Sequence, residues 1–237
     1  MQLSLFESRA ASAAFAVRVS ARARRLTARV HVGGRVEIVV PVGVGPQTVR
    51  EFVRRFTPWI DRKVATMQAA ARPDEPVPGQ IHLGLSGERF AVEWRAQSSR
   101  ELRVLGDRLF VRAADAQAAR LLLRAWLKRA AETRLVPRLE ALIQQLGFDV
   151  TRVAIRCQRT RWGSCSTRGT ISLNACLLFL HEPVVRYLFV HELAHTRQMN
   201  HSRRFWRLVE SLEPDYRRLD RELLAGWRTV PAWVFDA

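Results

Sequence analysis

A chain of 237 residues that is 48% hydrophobic can bury one large core or two small ones. No apolar run reaches the roughly eighteen residues that a membrane helix needs, which excludes a membrane span. The net charge of +17 suits a polyanion partner, yet it is spread as +6 over residues 1–50, +5 over 51–150 and +6 over 151–237, a general field rather than a localised patch.

The apolar stretch from Ala13 to Val17 is short, and Glu7 precedes it where a signal peptide carries positive charge. The expectation is a soluble, cytoplasmic protein. Phe15 to Val19 reads as a first strand. Leu26, Ala28, Val30 and Val32 alternate with polar residues, and so do Val36, Ile38 and Val40 after Gly33-Gly34, which predicts a hairpin. Arg22, Arg24 and Arg25 read as a solvated face, with phosphate binding as the alternative. Pro46 opens a helix with Val49, Phe52, Val53, Phe56, Ile60 and Val64 at helical spacing, and Pro58 is expected to break or kink it. Residues 71–79, with Pro73, Pro76, Pro78 and Gly79, look like a connector. Strands are predicted at Ile81–Leu83, Phe90–Trp94 and Leu102–Val111, the last folded at Gly106-Asp107. Nothing in this half has the look of catalytic machinery.

From about Ala116 to Gln145 the pattern is helical, with Gly147 as a stop and Pro137 suggesting two helices or one kinked one. Val150–Cys157 is a strand candidate. Gln158–Gly169 is a polar loop, and Thr170–Asn174 a short strand after it. Cys157, Cys165 and Cys176 are odd in number and lack Cys-x-x-Cys spacing, so they form neither a disulfide framework nor a zinc ribbon. Cys165 reads as a packed, inert thiol rather than a nucleophile or ligand. The sequence shows no internal repeat.

Histidine is scarce, six in the whole chain, yet three fall within residues 191–201. In Val190-His191-Glu192-Leu193-Ala194-His195, the two histidines lie one helical turn apart on one face. That is the zinc-hydrolase pattern, with Glu192 as general base. Glu182 and Pro183 suit the first turn of this helix, and Val184, Val185, Leu188, Phe189, Leu193 and Ala194 give it an apolar stripe. A catalytic zinc normally has three protein ligands and one open position. His201 is the choice for the third ligand, with Glu210 and Glu213 as rivals from a following helix. Metzincins use the same spacing but place a glycine in the turn, where this chain has Gln198, so Asn200 is expected to take a left-handed conformation. Arg156, Arg159, Arg161, Tyr187 and Arg197 are candidate oxyanion donors. If Thr170–Asn174 were a sheet edge beside the metal, it could bind an extended peptide by strand addition. Ser202 is a good N-cap for an amphipathic segment with Phe205, Trp206, Val209 and Leu212, Pro214 starts a last helix, and Trp227, Trp233 and Phe235 make an apolar tail.

The combination of Arg161-Trp162-Gly163-Ser164-Cys165-Ser166, Ile171-Ser172-Leu173-Asn174, His191-Glu192-Leu193-Ala194-His195 and His201-Ser202 with Phe205-Trp206 strongly resembles the YgjP-like metallopeptidases, zincin-like proteins related to the SprT and WLM domains. Arg25-Leu26, Gly34-Arg35-Val36, Pro41 and Trp59-Ile60 extend the resemblance over nearly the whole chain. It implies an α+β fold, a β-rich region over 1–112 followed by a compact zincin-like core over 113–237. It implies His191, His195 and His201 as ligands of one zinc ion per chain, Glu192 as catalytic acid/base, and a protein or peptide substrate. Some relatives carry a nucleotide-pyrophosphatase label. SprT-type kin act on DNA-bound proteins, but this chain lacks their zinc ribbon, so that role does not carry over.

Three readings follow. The first is a zinc-dependent peptidase, with another divalent transition metal admissible because imidazole suits several. The second is a metal-dependent nucleotide pyrophosphatase whose arginines hold phosphates. The third is a nucleic-acid-binding protein with a non-catalytic metal site.

Overall fold

The computed structural model describes residues 15–30, 36–69 and 77–235. The fold is α+β, and the chain divides into two compact units, Met1–Pro73 and Asp74–Ala237. The division falls inside the proline-rich stretch 71–79. Among the described residues no helix is long and apolar enough to cross a membrane.

In the first unit, β1 (Phe15–Ser20), β2 (Thr27–Val30) and β3 (Val36–Pro41) form a sheet with β3 in the centre, parallel to β1 and antiparallel to β2. The alternation of Ala28 and Val30 against Ile38 and Val36 therefore makes the expected antiparallel pair, although its glycines Gly33 and Gly34 lie outside the described residues. Helix α1 (Pro46–Ala69) closes a core of Val36, Ile38, Val40, Ile60 and Val64. It runs unbroken past Pro58. The carbonyl that a proline deprives of its partner is four residues back, on Arg54, and Arg54 is exposed to water.

The second unit starts with β4 (Gln80–His82), β5 (Arg89–Ala96), β6 (Glu101–Leu105) and β7 (Arg108–Ala113), in the order β4-β5-β7-β6. Helix α2 (Ala116–Leu146) begins where the Asp115 side chain accepts the Ala118 N–H at 2.7 Å and ends at Gly147 in the left-handed region, φ 64°. It is one helix, because the carbonyl freed by Pro137 belongs to Thr133, which is exposed. Its buried residues, from Ala119 and Leu123 through Leu135 to Leu142, recur every three or four positions.

Strands β8 (Arg152–Arg156), β9 (Gly163–Cys165) and β10 (Thr170–Asn174) form the third sheet, in the order β8-β10-β9. Strand β10 is parallel to β8 and antiparallel to β9, so Thr170–Asn174 is the centre of the sheet and not the edge that strand addition would require. Its alternating Ile171 and Leu173 are apolar and buried, which is what a strand covered on that face needs. A 3-10 turn (Ala175–Phe179) leads into α3 (Glu182–Arg197), followed by α4 (Arg203–Leu212) and α5 (Tyr216–Ala225). The tail packs back as expected: Trp233, Val234 and Phe235 are buried, and the Arg159 guanidinium donates to the Phe235 carbonyl.

One topology thus occurs three times. Strands β3, β7 and β10 are each flanked by a parallel partner (β1, β5, β8) and an antiparallel one (β2, β6, β9), and the next α-helix contacts the antiparallel partner. The sequence carries no repeat, so the recurrence is one of topology.

Candidate metal centre

Helix α3 is apolar along one side, where Val184, Val185, Tyr187, Leu188, Val190, Leu193 and Ala194 are buried. Burying that side fixes the helix rotation and carries His191, Glu192 and His195 to the boundary between core and solvent. The helix ends at Gln198, whose backbone is extended (φ −138°, ψ 93°). No described non-glycine residue has positive φ, so the chain turns back without a left-handed Asn200. The Ser202 side chain then caps α4 by accepting the Phe205 N–H at 3.4 Å.

That turn brings His201 to the α3 histidines. Ring centroids are 5.0 Å apart for His191 and His195, 5.1 Å for His191 and His201, and 4.7 Å for His195 and His201. One nitrogen from each ring lies within 4.8 Å of the others. Phe205, fully buried on α4, packs against all three rings at 4.5–5.0 Å, and Trp206 stacks on His201 at 5.6 Å. Glu210 and Glu213 are elsewhere: Glu213 pairs with Arg186, and Glu210 lies 3.8 Å from Arg217.

Proton placement sets which nitrogens converge. His195 Nδ1 is 3.1 Å from the Gln198 carbonyl, which can only accept, so Nδ1 carries the hydrogen and Nε2 is bare. His191 Nε2 and His201 Nε2 face each other at 3.2 Å. Two facing ring nitrogens need a proton or another Lewis acid between them. Burial, then the charges of His195 and His201, push His191 down to about 3, and burial also lowers His195, so both stay neutral and able to donate lone pairs. Three imidazoles in this arrangement fit a borderline divalent ion.

Glu192 is 4% exposed. Burial raises its carboxyl to about 8 against two smaller lowering influences, the charge of Arg161 and the Cys165 backbone N–H. Its Oε2 is buried with no hydrogen-bond partner. The carboxylate lies on β9, where a Cβ added to Gly163 would sit 2.6 Å from Glu192 Oε1. Glycine at 163 is therefore the condition for this approach. Cys165 is partly buried, and its thiol is pushed up to about 11 by burial and then by Glu192, consistent with an inert role.

Of the candidate oxyanion donors, Arg159 is tied to Phe235, Arg197 donates to the Gly147 carbonyl at 2.7 Å and lies over Phe148, and Arg156 reaches Ser172 at 3.4 Å. Tyr187 sits behind His191 and donates to Asp220 at 2.8 Å. Arg161 alone among the five acts on the charge of Glu192. Sequence reasoning assigned no role to Asn174, which is 2% exposed and donates to the carbonyls of Gln158 (2.7 Å) and Arg161 (2.8 Å) while accepting the Cys176 N–H. It thereby fixes the loop that carries Arg161. Its place at the end of the Ile171-Ser172-Leu173-Asn174 motif is the sequence signal that marks it.

The family described as "YgjP-like, metallopeptidase domain" matches residues 24–225. Among solved structures, the crystal structure of the metallopeptidase zymogen of Pyrococcus abyssi abylysin is 31% identical over 37% of this chain and 89% of that one, with a TM-score of 0.34. A comparison with curated proteins found no match.

Proposed function

The chain belongs to the YgjP-like metallopeptidase family, and on that premise we propose that it is a zinc-dependent peptidase in which His191, His195 and His201 hold the metal and Glu192 moves the proton. The observation that carries the reading is the convergence of three imidazoles beside a buried carboxylate that lacks a partner for Oε2. Zinc, when bound there, supplies a Lewis acid for the scissile carbonyl and makes water more acidic. Glu192 takes the proton of the attacking water on its carboxylate and returns it to the leaving amine. Burial raises the Glu192 carboxyl, which makes its carboxylate a stronger base than an exposed glutamate. Arg161 supplies positive charge near the carboxylate. An extended substrate would pair with β9, the edge strand beside Glu192. Every residue in this reading falls in 113–237, the stretch we take as the catalytic region.

The test is cleavage of an unfolded protein by zinc-loaded wild type and by Glu192→Gln, with zinc measured in both. We expect about one zinc per chain in each and a loss of at least about a thousandfold in kcat/KM for the variant. Undiminished cleavage by Glu192→Gln overturns the role of Glu192. Release of phosphate or pyrophosphate from nucleoside triphosphates without peptide cleavage would move the protein to the second reading.

A further inference from the structure

Behind His191 a three-residue chain runs out of the metal centre into α5. Tyr187 lies one turn before His191 on α3, is fully buried, and places its hydroxyl oxygen 3.4 Å from His191 Nδ1. The same hydroxyl donates to Asp220 Oδ1 at 2.8 Å. Asp220 is presented by α5, which packs against α3.

These contacts leave little freedom for the protons. The Tyr187 hydrogen points to Asp220, whose Oδ1 accepts it. The tyrosine oxygen is then left with lone pairs towards His191 and can only accept from it. His191 therefore carries its hydrogen on Nδ1, and Nε2, the nitrogen that faces His201, is bare. His195 reaches the same tautomer by a shorter route, through the Gln198 carbonyl. Burial and the bond to Asp220 both raise the Tyr187 hydroxyl above its usual range, so it stays protonated and in its place in the chain.

We propose that Asp220, acting through Tyr187, is a positioning residue of the metal centre: it fixes the tautomer and ring orientation of His191 and thereby sets metal affinity. The proposal rests on the metal-site reading above. It reaches further because it places a determinant of that site on a helix with no ligand and twenty-five residues beyond the last histidine of the pattern in α3. A long 3.4 Å contact to the histidine implies control of direction more than of strength, so the effect on affinity belongs near the lower end of the ten- to hundredfold range typical of such partners.

The experiment uses the full chain and zinc alone, in competition with a chelator, together with 15N spectra of the imidazoles in metal-free protein. The variants are Tyr187→Phe, Asp220→Ala and Asp220→Asn, each checked for unchanged unfolding. Wild type should show His191 with Nδ1 protonated. Tyr187→Phe removes the acceptor. Asp220→Ala frees the hydroxyl to donate to Nδ1 and allows the opposite tautomer. Both should weaken zinc binding about tenfold or more and change the His191 signature. Asp220→Asn keeps an accepting oxygen and should recover most of the affinity and the wild-type tautomer, which a packing role alone would not predict of the spectrum. Unchanged affinity and an unchanged His191 spectrum in Tyr187→Phe and Asp220→Ala overturn the proposal. If folded wild type itself takes up no zinc, it is the metal-site reading that fails.

Discussion

In both β5–β7 with α2 and β8–β10 with α3, a helix follows the central strand and contacts the second strand, but the residues it meets there differ. Antiparallel register puts Leu102 and Val104 opposite Val111 and Leu109 in the earlier sheet, and Gly163 and Cys165 opposite Leu173 and Ile171 in the later one. Opposed residues share a face, so the helix-facing pair is leucine and valine in one case, glycine and cysteine in the other. The first unit follows the earlier sheet, with Ala28 and Val30 opposite Ile38 and Val36. Taking a side chain away at 163 leaves a space, and Glu192 fills it. The carboxylates report the same contrast. Glu88, just before β5, is held by Arg134 of α2 and lowered to about 2, whereas Glu192 is buried with one oxygen unpaired and raised to about 8. One topology serves as an ordinary sheet-on-helix core or as a frame for a buried, partly unpaired carboxylate, according to what the second strand leaves open.

Restoring a side chain at the decisive position should produce the largest effect. Gly163→Ala places a methyl 2.6 Å from Glu192 Oε1, and Cδ and Cγ of the same side chain are at 3.0 Å, so the carboxylate must move. A displacement of about 1 Å at a reacting group costs about a hundredfold, and kcat/KM should fall by that much while zinc content stays the same. Peptide cleavage within threefold of wild type in Gly163→Ala would break the comparison.

The next contrast lies at the last residue of each central strand. In the earlier sheet it is Ala113, in the later one Asn174, and both are buried. Asn174→Ala makes the two alike and strands the carbonyls of Gln158 and Arg161 and the N–H of Cys176. Each buried group left unpaired costs about 1–3 kcal/mol, and partial access to water holds the expected total to about 3 kcal/mol. Urea unfolding measures it. A change below about 1 kcal/mol would show that the 158–162 loop does not depend on this side chain.

The sequence makes the helix of His191 and His195 legible because a one-turn spacing is a local property, and the strands because alternation is local as well. The grouping around Glu192 was not legible. Gly163 looks like any loop glycine until β9 is laid against α3. The central place of β10 depends on pairing with β8, which lies some fifteen residues away along the chain. Asp220 sits in a charged helix among Arg217, Arg218, Arg221 and Glu222, where one more acid has no local mark. The sequence leaves open whether Pro58 and Pro137 break α1 and α2, for a related reason. Whether a proline breaks a helix depends on whether the orphaned carbonyl can reach water, and that is set by which face of the helix is buried.

The smallest expected effect tests the ionic side of the comparison. Arg134 donates to Glu88 through Nε and Nη2, both at 2.7 Å, and Ser86 donates to the same carboxylate. The hydrogen bonds from Arg134 are the main cause that lowers Glu88 from 4.5 to about 2, against the opposing effect of burial. A carboxyl lowered by folding binds fewer protons in the native than in the unfolded state between those two values. Its contribution to stability is therefore complete above about pH 4.5 and is lost as the pH falls through about 2. Glu88 is 38% exposed and Arg134 24%, so water screens the pair and holds its worth to about 1 kcal/mol. Glu88→Gln should cost that amount at pH 7, and the gap to wild type should shrink by about half at pH 3. Urea midpoints at the two pH values decide it. A gap that stays constant would mean that Glu88 contributes by packing, and the contrast between a paired and an unpaired carboxylate would then rest on Glu192 alone.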